Sequence, residues 1–204
     1  KGYKVNEIDR DNQNELESFV RASDAVWIVT MPIEEVGERM LECSEIMRPG
    51  SYLIHGCSIE NPYPRDIDYD RIEKLSVHWA HVHFHFRPQV PLSRTILGQT
   101  VTASICSYGV LLEGWLQDLF SESKCNLLVL TRGEHDELTG VSQLIHMIST
   151  FLVADVWKEF PSGQTLMKGL ALGGPPAQML IRAVLRTAGA SGVVEGILRN
   201  HPYT

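Results

Sequence analysis

The feature that most constrains the fold is an alternation, in the first part of the chain, between short apolar runs and amphipathic helical stretches. Strands are predicted at residues 25–31 and Tyr52–His55, and helices at residues 14–21 and 34–47. Near-continuous apolar strands separated by helices are typical of a parallel sheet that is covered on both faces. The alternation therefore predicts a doubly wound α/β domain.

The pattern changes at Gly133, where the β-type runs stop. The same α/β domain is predicted to contain strands at residues 4–9, 77–86, 100–107 and 127–130, a helix at residues 110–120, and a surface loop at residues 61–71. Behind Gly133, five apolar residues fall at helical spacing: Leu138, Val141, Ile145, Ile148 and Leu152. Two further helices are predicted at about residues 176–187 and 192–200. We therefore place an α/β domain at residues 1–131 and a helical domain at residues 132–204.

Composition excludes several classes of partner. The chain has 18 basic and 25 acidic residues, a net charge of -7, and these charges are interspersed, which is unlike a nucleic-acid-binding surface. A small anionic ligand needs only one or two placed basic groups. The four cysteines form no CxxC pair, and no run reaches the roughly 18 uninterrupted apolar residues of a membrane span. We expect a cytoplasmic protein that binds neither membrane nor nucleic acid.

Ligands of open parallel sheets bind outside the carboxyl ends of the strands. One such end carries Asp9, an acid of the kind that accepts hydrogen bonds from the adenosine ribose of NAD and disfavours NADP, although aspartate is also a common turn former. Thr30, Met31 and Pro32 follow the next strand. No GxGxxG occurs in the chain, so a phosphate-binding turn of this type is expected upstream of residue 1.

Three histidines alternate along one strand, which places His81, His83 and His85 on the same face. Such a strand can chelate zinc through two imidazoles and a third ligand from elsewhere. Equally, one histidine can be catalytic while the others are structural. Because the sequence offers no second cluster of residues at ligand spacing, we expect no metal.

A polar stripe of small hydroxyl residues around one imidazole runs along the helix after Gly133. Its members recur at helical spacing: Thr139, Ser142, His146 and Ser149. The stripe is either a solvated face or the wall of a polar cleft. Because it contains no Lys or Arg, we favour the cleft.

These motifs together resemble the prephenate and arogenate dehydrogenases of the TyrA family. The stretch GEHDELTGVSQLIHMISTFL at residues 133–152 is similar to the family's EHDxxxxxxQxxxHxxxTF pattern. DAVWIVTMPIEEV at 24–36 resembles its DxVxxxxP step, CSIE at 57–60 its Ser-Val-Lys, and HVHFHFRP at 81–88 its Gly-x-His-Pro-x-Phe-Gly-Pro. The matches follow the family's order, and the resemblance implies a Rossmann-type domain, here without its glycine-rich start, followed by a helical dimerisation domain.

The resemblance also implies residue roles. The catalytic histidine corresponds to His83, the serine that orients it to Ser58, and a substrate-binding histidine to His146. A carboxylate-binding arginine corresponds to Arg186, or to Arg182 if the register shifts.

The chain departs from the family pattern within these motifs. Phe84 stands for the family's Pro, Arg87 for a Gly and Glu60 for a Lys. Arg87 is a second candidate for binding a substrate carboxylate.

The activity implied is NAD-dependent oxidative decarboxylation of prephenate or arogenate in tyrosine biosynthesis, by a homodimer, with NADP also possible as the cofactor. Two alternatives remain open. One is a relative that acts on an amino analogue of prephenate, and the other is an inactive or regulatory homologue.

Overall fold

The structure is a computed structural model, and it describes residues 3–8, 12–29, 32–60, 67–85 and 98–159, with residues 168, 175, 178–180, 183, 184 and 199. The chain divides into two compact units, Lys1–His135 and Asp136–Thr204. This break falls after His135, whereas the sequence placed it at residue 131.

The first unit is built on a five-stranded sheet with the order β1-β2-β3-β4-β5. Its strands are β1 (Ala25–Ile28), β2 (Tyr52–His55), β3 (His78–Phe84), β4 (Thr100–Ile105) and β5 (Asn126–Leu130). Its helices are α1 (Gln13–Ala22), α2 (Ile33–Ile46), α3 (Tyr69–Lys74) and α4 (Val110–Glu122). The predicted α/β class and most of the predicted elements are confirmed.

The sheet is mostly parallel, with one reversal. β1, β2 and β3 pair in parallel, β4 pairs antiparallel with β3, and β5 pairs parallel with β4. The predicted parallel pairing is confirmed at three of the four strand pairs, and the β3–β4 pair departs from it. An apolar run buried on both faces reads the same in either direction, so composition does not encode strand direction.

Helices cover both faces of the sheet, and each face has its own core. Leu53 and Trp79 point to the face covered by α1, α2 and α3, where Met40 is fully buried. Ile54 points to the opposite face and packs with Leu116 of α4. Neighbouring residues of one strand thus enter different cores, as expected when successive side chains alternate.

Residues 3–8 do not form the strand predicted at 4–9. Val5, the central apolar residue of that run, is 84% exposed. β-Propensity becomes a strand only where a neighbouring strand supplies hydrogen bonds and packing, and no such pairing forms for these described residues. Asp9 itself lies outside the described residues.

Helix α3 was not predicted, because its start falls inside the predicted loop at residues 61–71. The side chain of Asp68 accepts a hydrogen bond from the backbone N–H of Arg71 at 3.0 Å, which caps the helix. Tyr69 and Ile72, both within this helix, are buried. The last residues of the predicted loop therefore begin a capped helix.

Among the described residues of the second unit, the longest continuous stretch is helical. It comprises α5 (Glu134–Thr139), which begins in the first unit, a π-helical turn (Gly140–Leu144), and α6 (Ile145–Lys158). By length and composition alone, Glu134–Val156 could cross a membrane, but a single helix of this kind is weak support for a membrane span. Most residues of the two helices predicted at 176–187 and 192–200 lie outside the described residues.

Candidate active site and histidine cluster

Five of the eight histidines lie together in the first unit, on the face of the sheet that carries Trp79. Alternation along β3 puts Trp79, His81 and His83 on one face, and the register of β2 and β3 sets His55 beside His81. His135, at the start of α5, completes the set, with its ring centroid 4.3 Å from that of His81. The apolar core thus gives way to imidazoles towards the carboxyl end of β3.

His83 lies near the end of β3, and its ring shares a hydrogen bond with the ring of His135. The distance between Nδ1 of His83 and Nε2 of His135 is 2.9 Å, and His83 is only 6% exposed. One of these two nitrogens must carry the proton that is shared. His83 is therefore held in one orientation by a neighbouring imidazole.

Ser58, to which the resemblance assigns the orienting role, lies half-buried just after β2. Within the described part of the chain it forms no side-chain hydrogen bond to His83. The partner of His83 was present in the family-like EHD motif but carried no predicted role. Its position at the start of α5 and its separation of 52 residues from His83 hid the contact from sequence reasoning.

His81 is fully buried, and its tautomer follows from its contacts. Its Nε2 lies 2.8 Å from the carbonyl oxygen of Cys57, which can only accept, so Nε2 carries the hydrogen. Its Nδ1 has no hydrogen-bond partner among the described residues. Burial, and then the neighbouring His55 and His135, hold the pKa of His81 well below its usual range, so the ring is neutral.

Tyr69 links His55 to the loop after β2. Its hydroxyl donates to the carbonyl of Glu60 at 3.0 Å and therefore accepts from Nε2 of His55 at 2.9 Å. The Tyr69 ring stacks on Trp79 with 3.8 Å between centroids. The tautomer of His55 is thus set by a tyrosine that is itself held in the core.

Glu60 is a fully buried acid in the middle of this cluster. Its Oε2 accepts a hydrogen bond from the backbone N–H of Gly133 at 3.1 Å. Gly133 has φ of +92°, a conformation that favours glycine, and this turn leads into His135. The position where the family has a lysine therefore holds a carboxylate among histidines.

Three overlapping sets of side chains in this cluster have metal-ligating geometry. In each set one ligand atom per residue lies within 4.8 Å of the others. The sets are His55 with Cys57 and His81, His83 with His85 and His135, and Glu60 with His81 and His135. The second set includes the exposed His85, whose pKa is lowered by burial of part of its ring and by His135.

The structure describes only some of the remaining predicted site residues. Pro32 is described, at the N-cap of α2 where the chain turns from β1 into the helix. The others lie outside the described residues: Asp9, Thr30, Met31, Arg87, Arg182 and Arg186.

His146 lies on α6 in the second unit and is exposed. Two hydroxyls of its polar stripe bind their own helix, since Ser142 donates to the carbonyl of Leu138 and Ser149 to that of Ile145. Thr139 is buried. The stripe is thus exposed at three of its four predicted positions.

Solved structures with this architecture include dehydrogenases. Arogenate dehydrogenase of Synechocystis matches with a TM-score of 0.62 and 11% identity, over 90% of this chain and 68% of that one. Prephenate dehydrogenase of Aquifex aeolicus matches with a TM-score of 0.59 and 15% identity, over 90% of this chain and 67% of that one. The fold is that of Rossmann-type dehydrogenases. This chain spans about two thirds of the length of those two proteins.

A second structure of the Aquifex aeolicus enzyme, in complex with hydroxyphenyl propionate and NAD+, matches with a TM-score of 0.53 and 14% identity, over 90% of this chain and 66% of that one. No family model matches the sequence. Comparison with curated proteins also finds no match. The likeness is therefore one of fold.

Proposed function

We propose that this protein is an NAD-dependent dehydrogenase that oxidatively decarboxylates prephenate or arogenate. The observation that carries the proposal is the position of His83, an oriented and nearly buried imidazole near the carboxyl end of a parallel strand. Ligands of this class of fold bind at that edge of the sheet. The motif resemblance and the dehydrogenase fold point to the same reaction class.

His83 is suited to accept a proton. With Nδ1 of His83 in the hydrogen bond to His135, we propose that Nε2 is the nitrogen that takes the proton of a substrate hydroxyl. Loss of hydride from the carbinol carbon to the bound cofactor would leave a carbonyl. The ring carboxylate would then leave as carbon dioxide, and the electron pair of that bond would make the ring aromatic as the carbonyl oxygen becomes a phenol oxygen and takes a proton. We propose that His135 orients His83. Ser58 is proposed to lie at the same end of the sheet, where it follows β2.

One buried polar atom lies near the carboxyl end of β1. The indole Nε1 of Trp27 is buried without a hydrogen-bond partner among the described residues, at the end of β1. A Cβ on Gly56 would lie 3.5 Å from that nitrogen, an ordinary van der Waals contact, and the indole packs on the α4 side of the sheet, opposite His83. When bound, the nicotinamide supplies the hydride acceptor. Pro32, Thr30 and Met31 are proposed as neighbours of the nicotinamide end.

Substrate binding is assigned to cationic and polar groups. A dicarboxylate is best held by arginine, whose planar fork matches a carboxylate with two hydrogen bonds. We propose Arg186, or Arg182 in its place, and Arg87 for this role. His146 is proposed as a further substrate contact.

The direct test is a spectrophotometric assay of the full natural chain with prephenate and with arogenate, each with NAD and with NADP. We expect formation of reduced nicotinamide, and a larger kcat/KM with NAD because Asp9 would repel a 2′-phosphate. Equal or better use of NADP would remove the role of Asp9. No activity with either substrate, in protein that is folded and free of bound metal, would favour the inactive homologue.

We also propose that the protein is a homodimer through its helical unit. The five apolar residues predicted as a stripe on this helix are exposed by 41–69%: Leu138, Val141, Ile145, Ile148 and Leu152. An apolar face of this kind is typical of an interface. In sedimentation velocity we expect a dimer at micromolar concentration, and Val141→Glu should shift it to monomer. A monomeric wild-type protein would contradict the proposal.

A further inference from the structure

We propose that Glu60, His81 and His135 form a binding site for a divalent transition metal ion of the zinc class. The three residues come from the loop after β2, from β3 and from the start of α5, all within the first unit. They are 0%, 0% and 1% exposed, and one ligand atom of each lies within 4.8 Å of the other two. This inference does not depend on the proposed dehydrogenase activity.

His81 has the contacts of a ligand that is already oriented. Metal-binding histidines usually donate their second ring N–H to a carbonyl or carboxylate, which fixes the tautomer. In His81 the Nε2–H donates to the carbonyl of Cys57, and Nδ1 keeps a lone pair with no hydrogen-bond partner among the described residues. A buried, unpaired lone pair is costly, and a metal ion would satisfy it.

Glu60 supplies the charge. It is a buried carboxylate whose Oε2 is oriented by the backbone N–H of Gly133, an outer contact of the kind that ligating carboxylates make. A divalent cation beside it offsets the cost of burying an acid. The residue is also one of the departures from the family pattern, so the family's lysine would place a positive charge where this chain offers an anion.

The donor set selects the class of metal. Two imidazoles and one carboxylate are a ligand set of zinc sites that keep a fourth position open, whereas magnesium and calcium prefer oxygen ligands alone. Zinc–ligand bonds of about 2.0–2.1 Å put tetrahedral ligand atoms about 3.3 Å apart. Ligand atoms within 4.8 Å of one another reach that spacing by shifts on the order of 1 Å or less.

The neighbouring histidines offer a route for the ion. His85 is exposed, and its ring centroid lies 4.4 Å from that of His83, which in turn contacts His135. Nitrogen ligands thus extend from the surface to the buried triad.

Metal binding would compete with the role proposed for His83. Suppose that the metal binds Nδ1 of His135. The Nε2–H of His135 then donates to Nδ1 of His83, so that His83 must carry its own hydrogen on Nε2. If the metal takes Nε2 of His135, the contact to His83 is lost. In either case His83 is no longer an oriented base. This consequence, unlike the site itself, rests on the proposed function, and it predicts that an equimolar metal ion inhibits the dehydrogenase.

The site is tested by titrating Co2+ into the full natural chain after chelator dialysis, without substrate or cofactor, and then displacing it with Zn2+. We expect one Co2+ per chain with visible absorption bands, and tighter binding of Zn2+. Glu60→Gln and His81→Phe should each weaken binding by about 100-fold or more, beyond the roughly 10–100-fold effect of losing an outer contact. His78→Gln, a histidine of β3 outside all three sets, is the matched control and should bind as wild type does.

Circular dichroism and thermal unfolding without metal check that the variants fold. Glu60→Gln hardly changes the shape of the side chain. If His81→Phe does not fold, the affinity of Glu60→Gln for the metal is the test of the site. Wild-type affinity in folded Glu60→Gln, or loss of binding in His85→Gln but not in Glu60→Gln, would overturn the proposed triad. The two proposals can fail separately. If the variants bind metal as expected but the metal-free protein has no dehydrogenase activity, the metal site is supported and only the proposed function is contradicted.

Discussion

Replacing His83 with asparagine is expected to lower kcat by ~10²–10⁴ while KM changes little, because loss of a general base typically has an effect of this size. Asparagine can still hydrogen-bond with His135, but it cannot take a proton. Because the amide nitrogen of asparagine can take the place of Nδ1, the change separates proton transfer from the hydrogen bond to His135. The measurement is steady-state kinetics of the metal-free full chain with the substrate and cofactor that the assay identifies.

The comparison variant is His146→Asn. His146 is exposed on α6 and is proposed to bind substrate, so its loss should raise KM more than it lowers kcat. A His83→Asn enzyme with the wild-type kcat would refute the mechanism. In that case the histidine strand would be explained by metal binding or by structure alone.

Truncating Leu116 to alanine is expected to destabilise the protein by about 2–5 kcal/mol, the usual cost of a cavity left by a buried leucine. Leu116 lies on α4, is 0% exposed, and packs in the core that includes Ile54 and Val82. This core holds α4 against the face of the sheet opposite the histidines. Urea unfolding of wild-type and variant protein, followed by circular dichroism, measures the change in the free energy of unfolding.

Leu111→Ala is the matched control, because it removes the same atoms from the same helix. Leu111 is 73% exposed, so its truncation should change the free energy of unfolding by less than about 0.5 kcal/mol. Equal losses for the two variants would mean that the face of α4 assigned to the core is wrong.

Local patterns in the sequence were sufficient for most elements. The strand Tyr52–His55 was predicted with the observed limits, and the helix predicted at residues 110–120 is observed as Val110–Glu122. Period-2 and period-3.6 patterns report which side chains are buried, and burial dominates the choice of element. The same reasoning placed His81 and His83 on one face of a strand, which the structure confirms.

Local patterns did not predict the elements whose formation depends on contacts with residues elsewhere in the chain. Residues 3–8 have strand-like composition but no strand, and α3 depends on the cap that Asp68 makes and on burial of Tyr69. The antiparallel pairing of β3 and β4 was also unreadable, since strand direction depends on the connection between the strands and on their register.

The sequence by itself determined the α/β class, the faces of its strands and helices, and the residue types at the strand ends. Only the tertiary structure decided that Glu60, His81 and His135 meet, and that His135 is the partner of His83. These residues are far apart along the chain, and their meeting depends on strand order, register and the turn before α5. Those are set by long-range packing, and a register slip of one residue would send the side chains of β3 to the opposite face.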